Sequence, residues 1–192
     1  MTKTADLDEL YERYKTKAQA VGTEVYRFGT RYEALESLIP LLKKEGVADS
    51  AGAFAVCAAG PAIRSWEGAE LSTIPGVHFE VTRELAAEAL IGITEVDFAL
   101  ADTGTLVQDQ SAVEQRLASS LPTIHIAILG TNTILPDKGA LITRINPRKS
   151  RFIAFITGPS RTADIERVLT IGVHGPKRLI VLAVDESEGE TL

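Results

Sequence analysis

The stretch Ile124-His125-Ile126-Ala127-Ile128-Leu129 decides the fold. It is apolar at every position except His125, so it lacks the in–out alternation of a strand with one face in water. A strand of this kind is buried on both faces, as in a parallel sheet covered by helices. The same texture recurs in Ala53-Phe54-Ala55-Val56-Cys57-Ala58, which stops at Gly60-Pro61, and at 96–101, 151–157 and 178–184. Helical patterns alternate with these strands. Leu7, Leu10, Tyr11, Tyr14, Ala18 and Val21 predict a helix over 6–20, with Gly22 as its stop. A short strand is predicted at 24–28. Thr30 then opens a second helical pattern through Leu35, Leu38, Ile39 and Leu42 to Gly46, and Pro40 inside it predicts a kink or break. Thr82 can cap a helix over 83–90, and further helices are predicted at 111–119 and 162–171. The expected class is α/β: a mostly parallel sheet flanked by helices, with N-terminal helices. The expected division is an N-terminal helical segment at 1–48 packing on the main domain, an α/β domain at 49–184 and an acidic tail at 185–192.

Composition narrows the function. The chain has 192 residues, 45% hydrophobic and 24% charged, the balance of an ordinary globular domain. Its net charge is −6, and the tail Asp185-Glu186-Ser187-Glu188-Gly189-Glu190 carries four of the acids. This is a poor match to general nucleic-acid binding. No apolar run approaches the ~18 residues of a membrane span, and the N-terminus lacks a signal-peptide core, so a cytoplasmic location is expected. Cys57 is the one cysteine. The chain alone therefore supplies neither a disulfide nor a four-cysteine zinc or iron–sulfur site. His78, His125 and His174 have no metal-ligand spacing, so no metal is expected. Dinucleotide, P-loop and nucleophile-elbow motifs are absent from the sequence.

Two segments carry chemistry. In Gly92-Ile93-Thr94-Glu95-Val96-Asp97-Phe98-Ala99-Leu100-Ala101-Asp102-Thr103-Gly104-Thr105, a strand delivers an acid, two hydroxyls and a glycine into one bend. Gly104 permits positive φ or close approach, and Thr103 and Thr105 can donate to anionic oxygens. The alternative is a tight hairpin whose threonines satisfy their own backbone. In Ile156-Thr157-Gly158-Pro159-Ser160-Arg161-Thr162-Ala163-Asp164-Ile165-Glu166, a strand end opens the helix predicted at 162–171. Amides at a helix N-terminus favour anions, Arg161 adds a fork for a carboxylate or phosphate, and Ser160 or Thr162 can cap. The alternative is a capped structural helix. From 138 to 163 the chain carries Lys138, Arg144, Arg148, Lys149, Arg151 and Arg161 and no acid. Such a stretch draws an anionic metabolite or an acidic partner surface, or is a solvated loop. His125 reads as a hydrogen-bonded core histidine or a catalytic base. If these strands are parallel, Gly60, Asp102, Thr103, Thr105, Ser160 and Arg161 converge on one cleft at the strands' carboxyl ends.

These segments, with Leu121-Pro122-Thr123-Ile124-His125-Ile126-Ala127 and Gly172-Val173-His174-Gly175-Pro176, resemble the LUD-domain family over roughly 50–184, and within it the lactate utilization protein C group. The resemblance implies a fold similar to the NagB/RpiA/CoA-transferase-like sandwich, whose members bind sugar phosphates or acyl-CoA at strand ends. It also implies a place in a bacterial three-part system that oxidises L-lactate to pyruvate with two iron–sulfur proteins. Clusters are then expected in those partners, and no cofactor in this chain. On this reading Arg161 and the helix amides hold an anion, Thr103, Gly104, Thr105, Ser160, Thr162 and Gly60 shape the ligand site, and Asp102 acts as acid or base. Two alternatives stand beside it. One is a stand-alone sugar-phosphate isomerase-like or acyl-transfer enzyme with Asp102 or Glu95 as catalytic base. The other is an interaction module that senses a metabolite.

Overall fold

A computed structural model describes residues 2–58, 60, 63–64, 70–146, 148–163, 169–172 and 174–185. A six-stranded sheet, parallel throughout, forms its centre. Its strands are β1 (Glu24–Phe28), β2 (Ala55–Cys57), β3 (Val77–His78), β4 (Ile91–Val96), β7 (Ile124–Gly130) and β12 (Arg178–Val184), in the order β1-β12-β7-β4-β2-β3. β7 lies in the middle, with Ile126 opposite Ile93 on one side and Ile180 on the other.

Burial of both faces explains the unbroken apolar run. On one face Ile124, Ile126 and Ile128 join Ile91, Ile93, Ile180 and Leu182 against helix α2 (Arg31–Lys44), which contributes Ala34, Leu35, Leu38 and Leu42. On the other, Ala127, Leu129, Val181 and Ala183 meet Tyr11, Tyr14 and Ala18 of helix α1 (Thr2–Ala20). α1 ends where the sequence predicts, with Gly22 at φ 88° and the Thr23 amide donating to the Ala18 carbonyl. Thr30 caps α2 by accepting from the Glu33 amide at 3.1 Å, and the Glu33 carboxylate reaches back to the Gly29 amide at 2.8 Å. Of the kink or break expected at Pro40, the break does not occur: one helix runs from Arg31 to Lys44 with Pro40 inside it. Pro40 stands on the exposed side, where solvent can satisfy the carbonyl its ring leaves without a donor, while the buried leucines hold both halves to the sheet.

A second, four-stranded sheet contains β5 (Phe98–Leu100), β6 (Thr105–Asp109), β8 (Ile134–Leu135) and β9 (Ile153–Ile156), in the order β8-β5-β6-β9. β5 and β9 both run antiparallel to β6. The single strand predicted at 96–101 is therefore two, divided at Asp97. The Asp97 amide donates to the Val107 carbonyl and its Oδ2 accepts from the Asp109 amide at 2.6 Å, so the chain leaves the central sheet there and joins the second. Helices α3 (Arg83–Glu88), capped by Thr82, α4 (Val113–Ser120) and α5 (Lys138–Ile142) pack onto these sheets.

The helix predicted at 162–171 is not formed by the described residues. Arg161–Ala163 is strand β10 and Leu169–Ile171 is strand β11, paired antiparallel, with 164–168 outside the described residues. β-Branched Thr162, Thr170 and Ile171 suit a strand. Gly158 and Gly172, at φ 77° and 76°, supply the left-handed turns that bracket the hairpin. Ser160 therefore caps no helix: its amide donates to Pro176 and its carbonyl accepts from Gly172.

Candidate functional site

The bend at 102–104 joins β5 to β6, and Gly104 sits in it at φ 67°. A Cβ on Gly104 would overlap the Lys17–Ala18 backbone, so the bend is pressed against the last turn of α1. Thr105 is 5% exposed. Its hydroxyl donates to Thr103 Oγ1 at 2.8 Å and lies 2.8 Å from Thr157 Oγ1, just after β9. Thr103 in turn donates to Asp102 Oδ1 at 3.2 Å. Because Thr105 has one proton, Thr157 must supply the other, and the hydroxyls form a directed chain Thr157→Thr105→Thr103→Asp102. The chain staples two strands and delivers its last proton to a carboxylate.

Beyond Thr157, the turn through Ser160 and Arg161 meets the chain where it enters the central sheet. The Ser160 amide donates to Pro176 ahead of β12, and the Lys177 amide donates to Thr123 ahead of β7. Arg161 Nη2 donates to the Val21 carbonyl ahead of β1. Thr103, Gly104, Thr105, Ser160 and Arg161 are thus gathered along the amino-terminal edge of the parallel sheet. Thr162 follows in β10. The helix amides expected to join Arg161 are replaced by strand backbone.

Gly60 lies at the opposite edge. A Cβ on Gly60 would collide with the Glu95 carboxylate, so Gly60 leaves the space that this side chain occupies at the carboxyl ends of β2 and β4. The one cleft expected from the sequence is therefore two separate groups. Gly60 and Glu95 form one, and the threonine chain with Arg161 forms the other. The expectation fails because the chain changes sheets at Asp97, so the strand before Asp102 is not one of the central parallel set.

Sequence reading missed a polar seam between α4 and the two sheets. Gln108 Nε2 donates to the Glu95 carbonyl at 2.6 Å and to Gln115 Oε1 at 2.8 Å. Gln110 Nε2 donates to Gln108 Oε1 at 2.9 Å and to Ser119 Oγ at 2.7 Å. Gln108, Gln110 and Ser119 are all buried. The signal was present in the alternation Gln108-Asp109-Gln110, which carries amides into the interior on one period-two face. Nearby, Thr94 Oγ1 and His125 Nε2 lie 2.9 Å apart on adjacent buried strands. Burial pushes the imidazole pKa down to about 4, so the ring is neutral. Burial also pushes the Cys57 thiol up, away from its nucleophilic form. A small cleft of about 110 Å³ opens in the second sheet, walled by Phe98, Val107, Ile145 and Ile153, with Asp109 and Arg144 at its rim. Burial raises the Asp109 pKa, but bonds from Ser111 and Ser150 outweigh it and hold the carboxyl below its usual range.

A model of the LUD domain matches residues 11–184. The chain belongs to the LUD domain family. Lactate utilization protein C of an Exiguobacterium species is 39% identical over 113 residues, covering 56% of this chain and 49% of that protein. Its counterpart in Halalkalibacterium halodurans is 38% identical over 109 residues, covering 54% of this chain and 47% of that one. The chain thus spans about half the length of the curated relatives it matches. A solved structure of a DUF162 family protein from Deinococcus radiodurans superposes with a TM-score of 0.65 over 93% of this chain and 98% of that one. Its identity is 17%, so it speaks to the fold of this LUD domain alone.

Proposed function

We propose that this LUD domain is a component of a bacterial lactate utilization system. In this reading it serves the oxidation of L-lactate to pyruvate beside iron–sulfur partner proteins, and its own role is to bind a small anion. The observation that carries the reading is its 39% identity to a protein named for lactate utilization. The chain's chemistry fits an accessory role. Oxidising a 2-hydroxy acid moves two electrons, and the side chains here offer no carrier for them. A single buried Cys57 cannot ligate a cluster that needs four thiolates. Arg161 is the candidate anion residue: one of its nitrogens donates to Val21, and the exposed guanidinium retains further donors for a carboxylate. The threonine hydroxyls are already committed toward Asp102, so their part is to fix the bend beside Arg161.

The test begins in the native cell. Removing the gene should abolish growth on L-lactate and spare growth on pyruvate. Unchanged growth on L-lactate would reject the reading. Anaerobic purification of the tagged chain from lactate-grown cells should bring down proteins containing iron and acid-labile sulfide. Arg161→Ala should weaken carboxylate binding by about 1–3 kcal/mol with the fold intact.

The placement of Glu95 favours a second reading. Its carboxylate rests against Gly60 at the carboxyl ends of two parallel strands, where open α/β sheets hold their ligands. A stand-alone isomerase-like or acyl-transfer enzyme would use it as the base for proton abstraction. That reading requires turnover by the purified chain and its loss in Glu95→Gln.

A further inference from the structure

We propose that the outer edge of β9 is a docking site for an acidic, extended segment of a partner protein, which adds to the second sheet as a fifth strand. The inference is independent of the lactate reading. Among the described residues, β9 is the end strand of its sheet and pairs with β6 alone. The phase of that pairing determines which of its backbone groups are committed. Gln110 N donates to Phe152 O across the extension of the β6–β9 ladder, so residues 152, 154 and 156 turn their backbone groups toward β6. Ile153 and Phe155 therefore aim their N–H and C=O groups outward, the template that a further strand reads.

The surroundings of that edge select the occupant. Phe152 and Phe155 flank it, each 46% exposed. The Arg116 guanidinium lies 5.2 Å from the Phe152 ring centre, and the Lys138 ammonium lies 4.9 Å from that of Phe155. Lys138, Arg144, Arg148, Lys149 and Arg151 are exposed, and among the described residues none of them forms an ion pair with a carboxylate. The neighbouring acids, Asp97, Asp109 and Asp137, are fewer than these five cations, and each accepts hydrogen bonds from neutral groups of the chain. Asp109 accepts from Ser111, and Asp97 accepts from the Asp109 amide. The edge is thus aromatic and cationic. A second copy would bring like charges against it, whereas an acidic strand would be attracted and held by main-chain bonds. Alternate side chains of that strand would meet the Phe155 face.

The experiment uses the full chain and a fluorescent peptide of about eight residues alternating Glu and Val, read by anisotropy at several salt concentrations. The expected result is binding that weakens with salt. It should fall at least about tenfold when the peptide is N-methylated on one edge. Phe155→Pro removes an outward N–H and leaves the inward ladder intact, so it should lose about tenfold in affinity, well beyond the loss in Phe155→Ala. Lys138→Glu with Arg144→Glu should lose binding with the backbone edge unchanged. The proposal is overturned if the N-methylated peptide binds as well as the parent, or if Phe155→Pro, shown to be folded, binds normally. It is also overturned if the chain self-associates through this edge and takes up no peptide.

Discussion

At the scale of single residues, His125 makes its state measurable. In the unfolded chain its imidazole titrates near its ordinary value of 6.5, and in the fold burial lowers this to about 4. Between these values the unfolded chain holds a proton that the folded one lacks, so stability must fall as pH drops through that window and level off below it. The full effect is on the order of 3 kcal/mol. Urea unfolding from pH 7 to 4 should therefore show a steeper acid loss for the parent than for His125→Gln, and parallel curves would mean the ring is not held neutral. Gly104 gives a second test. At φ 67° with the Ala18 backbone against it, Gly104→Ala meets both left-handed strain and overlap. The expected cost is about 2–4 kcal/mol, read as a lower urea midpoint.

At the scale of elements, what the sequence revealed was what a local pattern can encode. The apolar runs of β7 and β12 and the cap at Thr82 depend on near neighbours, and they appear where the residues predict. What escaped depended on contacts distant in sequence. Asp97 ends a strand because it bonds to Asp109 twelve residues on, and nothing in the apolar texture of 96–101 marks that. The hairpin of β10 and β11 is a different case: its residues also fit a helix with a capping serine, and local cross-strand pairing chose the strand. The candidate site suffered in proportion. Thr103, Gly104 and Thr105 were recognisable as a bend, but the helix assigned to Arg161 was not there to be read. The buried amides show what holds α4 in place. Gln110→Ala would strip partners from Gln108 Oε1 and Ser119 Oγ in the interior. It should cost about 1–3 kcal/mol, with faster amide exchange along α4. Exchange unchanged in α4 would show that its apolar contacts alone secure it.

At the scale of the whole molecule, each end of the central sheet is closed by its own arginine. At the carboxyl ends, Arg27 donates to Asp185 at 2.9 Å and to Asp8 at 2.6 Å, and its guanidinium lies 4.6 Å from the Tyr11 ring centre. At the amino ends, Arg178 donates to Glu24 and to Glu45, each at 2.8 Å, and so ties β12 to β1 and to the residue after α2. Hydrogen bonds that the guanidinium donates to these carboxylates raise the Arg178 pKa further above its ordinary value, so the clamp keeps its positive charge throughout the working pH range. Its strength is nonetheless limited, because the Arg178 side chain is 39% exposed and water screens the pairs. Arg178→Ala should cost about 1 kcal/mol, and the difference from the parent should shrink in about 1 M salt. Because β1 is an edge strand that pairs, among the described residues, with β12 alone, the loss should appear first as faster amide exchange in β1, with β7 and β4 protected as before. Equal loosening of all six strands would mean that the sheet opens as one unit and that Arg178 contributes to it globally.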